Sequence, residues 1–171
     1  MRAASAIGPE KSPTRQQILA WLESVADPEI PVLSVVDLGI VRDIGISPQG
    51  VEVSVAPTYS ACPAMEVIER RIVNELRRRG VPAPTIRRVL SPPWTTDWLS
   101  ESGRRKLREY GIAPPAGAAG KRSLTGGELQ IACPHCAATD TTRVSEFGST
   151  PCKASYKCNA CLEPFEYFKC I

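Results

Sequence analysis

Cys133-Pro134-His135-Cys136 and Cys158-Asn159-Ala160-Cys161 repeat one pattern, two cysteines spaced by two residues, with 21 residues between the pairs. Two residues between thiolates let a tight turn aim both sulfurs at one point about 2.3 Å away. Two such turns complete a tetrahedron, and the spacing is that of a zinc ribbon. Four thiolates leave no open coordination position, so the site is expected to be structural, with one zinc ion as cofactor. A rubredoxin-like iron centre or a redox-active dithiol are the alternatives. About 40 residues bury too little core to fold alone, and the metal would supply the missing stability. His135 lies inside a knuckle and is expected to face solvent.

The chain has seven cysteines in 171 residues. No run approaches the roughly 20 apolar residues that cross a bilayer, and the first residues, Met1-Arg2-Ala3-Ala4-Ser5, lack a signal-peptide core. The expected compartment is the cytoplasm, without a membrane partner. There, cysteines read as metal or redox chemistry rather than as a disulfide framework. Cys152 and Cys170 lie outside the quartet. They are either small buried hydrophobes or auxiliary thiols that capture metal or a cluster. Residues 14–112 carry 13 basic and 12 acidic side chains, and residues 128–171 carry 4 and 5. This balance argues against a nucleic-acid partner. Arg77-Arg78-Arg79 and Arg104-Arg105-Lys106 read as helix ends, where cations oppose the negative dipole end.

The first two thirds of the chain read as short elements. Residues 1–13 form an aperiodic leader. Thr14 can cap a helix carrying Ile18, Leu19, Leu22 and Val25, which Asp27-Pro28 ends. Residues 39–47 and 51–55 form a β-hairpin around Pro48-Gln49-Gly50, with Val51, Val53 and Val55 on one face. After a loop containing Cys62, Pro63 opens a helix with Met65, Ile68, Ile72 and Leu76 inward and Gly80 as its stop. Ile86 to Leu90 gives a third strand. Thr95 or Thr96 starts a last helix to about Tyr110, which Gly103 is able to break. Residues 113–127 read as a linker. The expected fold class is α+β: a three-stranded sheet with helices over residues 14–112, then a β zinc ribbon over 128–171.

Cys62 stands just before a helix start, which favours negative charge, so it is a candidate low-pKa thiolate and metal ligand. A packed, inert thiol is the plain alternative. The order helix, Asp27-Pro28-Glu29, Val36-Asp37-Leu38-Gly39, hairpin, then Thr58-x-x-x-Cys62-Pro63 resembles the small domain of SufT-like iron–sulfur assembly factors. The resemblance covers about residues 14–112. It implies that Cys62 handles iron or a transient iron–sulfur cluster. Asp27, Glu29, Asp37 and Thr58 match motif positions, as candidate helpers or as backbone caps.

With Trp94-Thr95-Thr96-Asp97-Trp98 and the ribbon segments 145–153 and 165–170 added, the chain after residue 13 is similar to the family of phenylacetyl-CoA epoxidase D subunits. That resemblance implies an accessory maturation factor in aerobic phenylacetate catabolism, not an enzyme. Its implied partners are the other epoxidase components, first the [2Fe–2S] flavin reductase, together with the iron–sulfur assembly machinery. One thiol cannot hold a cluster that needs four ligands, so a homodimer around Cys62 or a partner's thiols is expected. A catalytic oxygenase reading fails because the chain has one histidine and no Glu-x-x-His pattern. A reductase reading fails for want of a Gly-rich nucleotide turn. The remaining alternative is a zinc-ribbon interaction module, for nucleic acid or protein, without cluster handling.

Overall fold

Thr14 starts the first helix, α1 (Arg15–Leu22), with a capping box: its hydroxyl accepts from the Gln17 N–H, and the Gln17 side chain accepts from the Thr14 N–H. Both reciprocal bonds satisfy amides that the helix itself leaves orphaned. Ile18 and Leu22 are fully buried. The computed structural model describes residues 13–59, 62–116 and 130–169. Most of the leader, residues 117–127 of the linker, the first two residues of the ribbon and Cys170 lie outside the described residues.

The hairpin pairs β1 (Val41–Ser47) antiparallel with β2 (Gly50–Val55). β3 (Thr85–Arg88) runs parallel to β2, giving the order β1-β2-β3. A parallel neighbour needs a crossover, and α2 (Met65–Arg78) supplies it. Met65, Ile68, Ile72 and Leu76 are its buried residues, as their spacing predicts. At its end Gly80 takes φ +87°, and the Val81 N–H reaches back to the Leu76 carbonyl at 3.0 Å. Only a residue without Cβ adopts this turn cheaply. Arg78 and Arg79 both pair with Glu75 in this last turn.

The last helix of this region differs from the sequence expectation. Thr96–Trp98 forms a single 3-10 turn, and α3 (Glu101–Glu109) begins afterwards with Ser100 as its cap. Gly103 does not break it. A Cβ at Gly103 would stand 3.1 Å from the Asp37 carbonyl oxygen, so the missing side chain lets α3 lie against the Ser34–Gly39 loop.

Among the described residues the ribbon's sheet has four strands in the order β4-β7-β6-β5. They are β4 (Ile112–Ala113), β5 (Thr141–Ser145), β6 (Lys153–Cys158) and β7 (Pro164–Phe168). β4 lies at the expected domain edge, yet it pairs parallel with Glu166 and Tyr167 of β7. Both its residues are buried, which draws them onto the sheet instead of into a solvated linker. Two hydrophobic clusters result. One holds the ribbon residues Ile131, Tyr156, Phe165 and Tyr167. The other fills the first region but also takes Cys152 and Phe168 from the ribbon. The Phe168 ring meets Trp94 edge-on at 6.1 Å. The two regions therefore share the second of these clusters.

Candidate functional site

The two knuckles fold alike. The Cys133 N–H donates to the Ala138 carbonyl at 2.9 Å, and the Cys158 N–H to the Glu163 carbonyl at 3.0 Å. Ala137 and Leu162, each following the second cysteine of its pair, adopt φ +62° and +66°. A non-glycine residue in this conformation stores strain of roughly 1–2 kcal/mol. Strain of this kind persists only where surrounding structure holds it. Nothing in the sequence signals it, because neither residue is Gly or Asn.

The four sulfurs all lie within 4.8 Å of one another. Cys133 and Cys161 are 3.8 Å apart, and Cys136 and Cys158 are 3.6 Å apart. A regular tetrahedron with metal–sulfur bonds of about 2.3 Å has edges of about 3.8 Å. The quartet thus fits a four-coordinate thiolate metal site. The Cys161 N–H points at the Cys158 sulfur, 3.5 Å away, and with other local hydrogen bonds brings that thiol down to about 7. His135 is exposed as expected, and its ring stands against Gly111 at the end of α3.

Cys62 lies in the loop between β2 and α2, half-buried against the first core. Its N–H donates to the Tyr59 carbonyl, and its carbonyl accepts from Met65. Burial pushes its thiol up, and the Glu29 and Asp27 carboxylates add to this. The Ala64 N–H and the Thr58 hydroxyl pull the other way without prevailing. The expectation of a low-pKa thiolate is thus corrected. α2 starts three residues later, at Met65, so the helix terminus acts weakly on a sulfur that is partly desolvated beside two carboxylates. At pH 7 Cys62 is expected to be a thiol. Its alkylation by iodoacetamide should be slow there and accelerate only above the ordinary thiol range, and mass-spectrometric labelling rates against pH check this. A rate already saturated at pH 7 would contradict it.

The Thr58 hydroxyl hydrogen-bonds with the Cys62 thiol, and Glu29 acts on it electrostatically. Asp27 is 7 % exposed and accepts from the Glu29 and Ile30 N–H groups at 2.8 and 2.7 Å. It shapes the Pro28–Pro31 turn that presents Glu29. Asp37 is a correction. It accepts from the Ser34 N–H and hydroxyl, the Ser100 hydroxyl and the Lys106 ammonium. Both of its oxygens are thus spent on tying the Ser34–Gly39 loop to α3 rather than on Cys62. Burial alone would raise its carboxyl, but these bonds, Lys106 first, hold it below its usual value. A lowered carboxylate stabilises the fold above its unfolded pKa, and that contribution fades as pH falls through the folded value. Asp37→Asn should cost about 2–3 kcal/mol near neutral pH, read as a lower melting temperature. The deficit should shrink below about pH 4. An equal deficit at pH 3 and pH 7 would contradict the assigned charge.

Three residues outside the motif act on the same groups or pack in the same core. Tyr59 carries a buried hydroxyl that interacts with the Cys62 thiol, and burial pushes it up to about 12. Cys152 belongs to the first core. Lys153 is buried, pairs with Glu166 at 2.7 Å, and acts electrostatically on Asp27 and Glu29. In the sequence Tyr59 is visible only as a loop aromatic three residues from Cys62. The other two arrive from about 90 residues away in sequence, and no local pattern encodes that.

Residues 15–90 match the family model described as "Iron-sulfur cluster assembly protein". Residues 117–169 match that described as "PaaD zinc beta ribbon domain". A domain of unknown function (DUF59) from Bacillus anthracis superposes with a TM-score of 0.51 at 25% identity, covering 54% of this chain and 89% of that one. An "Fe-S protein maturation auxiliary factor" of Porphyromonas gingivalis (strain W83) is 32% identical over 96 residues, 55% of this chain and 90% of that protein. A protein of Escherichia coli (strain K12), described as a candidate D subunit of 1,2-phenylacetyl-CoA epoxidase, is 45% identical over 159 residues, 93% of this chain and 94% of its own length. With the α+β assembly domain and the four-cysteine ribbon in one chain, this likeness along nearly the whole length makes the protein a member of the family of phenylacetyl-CoA epoxidase D subunits.

Proposed function

We propose that this chain is an accessory iron–sulfur maturation factor of the phenylacetyl-CoA epoxidase system, acting in aerobic phenylacetate breakdown. It works in the cytoplasm without turning over the CoA ester itself. The observation that carries this reading is Cys62, a half-buried thiol with Glu29 and Thr58 beside it in an assembly-family domain. Cys62 holds iron or a labile cluster as cargo and passes it to a client. The client is the reductase component carrying a [2Fe–2S] cluster and flavin, since a thiol carrier suits a thiolate-ligated product. The quartet Cys133, Cys136, Cys158 and Cys161 holds one zinc ion and takes no part in transfer, because a closed thiolate shell leaves no position for exchange. The ribbon presents a docking surface. Among the described residues no helix is long and apolar enough to cross a membrane.

The test matures the reductase component in cells that supply the wild-type chain, the Cys62→Ala variant, or neither. Iron and acid-labile sulfide per flavin are then measured on the purified client. Cys62→Ala should leave the chain folded and zinc-loaded, yet lower cluster occupancy to the level seen with no factor. Full occupancy with Cys62→Ala as sole factor would defeat the proposal.

A further inference from the structure

One arginine of the first sheet is held differently from the rest. Arg42 is the extra residue of a β-bulge in β1: Val41 pairs with Val55 and Asp43 with Ser54, which leaves Arg42 outside the ladder. A bulge of this kind re-aims one side chain. Arg42 turns onto Trp98, with its guanidinium carbon 3.3 Å from the centroid of the indole ring. One guanidinium nitrogen donates to the Gly39 carbonyl at 3.1 Å. Gly39 also makes room for Trp98, since a Cβ there would stand 2.1 Å from the Trp98 carbonyl oxygen. The stacked pair is thus fixed by β1, by the Ser34–Gly39 loop and by the Thr96–Trp98 turn.

This guanidinium has no counter-ion. Arg87 and Arg88 of the same sheet pair with Glu52 and Glu69, and Asp43, next in sequence to Arg42, is taken by Arg15. Among the described residues no charged group acts on Arg42, and partial burial pulls it down from its usual value. A desolvated charge without a partner is a cost that a bound anion removes. The N–H groups not spent on Gly39 form part of a rigid planar fork that matches a carboxylate. A small ligand is normally enclosed in a cleft. The cavity lined by Trp21 and Arg79 and that lined by Arg71 and Glu75 reach neither Arg42 nor Trp98. Arginine and tryptophan are, in contrast, the residues on which protein interfaces concentrate their binding energy.

We propose that Arg42, stacked on Trp98, anchors a carboxylate side chain of the client protein. The proposal rests on the reading of the chain as a maturation factor and adds to it the chemistry by which the client is recognised. Arg42 lies beside the last residues of β2. The next residue, Ala56, donates its N–H to the Ile40 carbonyl, and the chain then enters the loop that carries Cys62. An acid held by Arg42 therefore docks the client at the end of the sheet from which the Cys62 loop departs.

The test uses the full-length, zinc-loaded chain and the cluster-free reductase component. The wild type should bind this client, more weakly as salt rises. Binding should protect Arg42 from phenylglyoxal, an arginine reagent, as read by mass spectrometry. Arg42→Ala should weaken binding about tenfold or more. Arg42→Lys should lose nearly as much, because an ammonium keeps the charge but not the planar fork. If Arg42 is equally reactive in the free and the bound wild type, or if Arg42→Ala binds as the wild type does, this inference falls and the maturation reading stands. If acetate or inorganic phosphate protects Arg42 without the client, the occupant is a small anion and the inference also falls. A wild type that raises the client's cluster occupancy without binding through Arg42 sinks the inference alone. A wild type that neither binds the client nor raises its cluster occupancy sinks both. Protection is read on the wild-type chain, so a misfolded variant cannot rescue the proposal.

Discussion

Replacing Cys133 or Cys161 with serine should drop metal content from one ion per chain to nearly none and unfold the ribbon. Structural zinc contributes on the order of 10 kcal/mol of apparent binding energy to small domains. The ribbon's own core is a short set of residues around Tyr156, Phe165 and Tyr167, too small to replace that term. The damage should spread further, because Cys152 and Phe168 leave the first core when the ribbon melts. Metal analysis, far-ultraviolet circular dichroism and thermal melting of both variants test this. Unchanged metal content and an unchanged melt in both would defeat the structural-metal assignment. A slow chelator titration of the wild type should reproduce the same two-region loss without any substitution.

Phe168→Ala should be the most damaging change that leaves every metal ligand in place. Phe168 is 1 % exposed and meets Trp94 edge-on. Removing a buried phenylalanine costs about 3–5 kcal/mol, and for a chain of this size that lowers the melting temperature by roughly 6–20 °C. Zinc content should stay at one per chain. Trp94 fluorescence should report the loss early, because its indole N–H is anchored to the Leu38 carbonyl at 2.9 Å while its ring loses the Phe168 contact. A variant that melts like the wild type would show that the two regions do not depend on each other.

Much of this fold is legible in residue order. The cysteine spacing foretells the quartet, the 3.6-residue pattern of Met65, Ile68, Ile72 and Leu76 foretells α2, and Val51, Val53 and Val55 foretell β2. These are local codes: each element states its own period. The misreadings share the opposite character. Asp37 looks like a site carboxylate because it sits in a motif, but its partners Ser100 and Lys106 lie more than 60 residues ahead. Cys62 looks activated because a helix follows it, whereas its environment is set by its own burial and by Glu29 and Asp27. Ile112-Ala113 looks like the edge of a linker because its strand partner is near the other end of the ribbon. A sequence pattern carries the residue's own conformation, but not which distant group desolvates or neutralises it.

The pairing of β4 with β7 also bears on how the chain is made. Ile112 and Ala113 leave the ribosome long before Glu166 and Tyr167, and nascent chains emerge at about 5–20 residues per second. For several seconds the first region is complete in sequence but lacks Cys152 and Phe168. During that interval Trp94 has no Phe168 to cover it. The nascent protein is thus at its most exposed just before its final strand emerges, and capture of the ribbon's metal closes that interval.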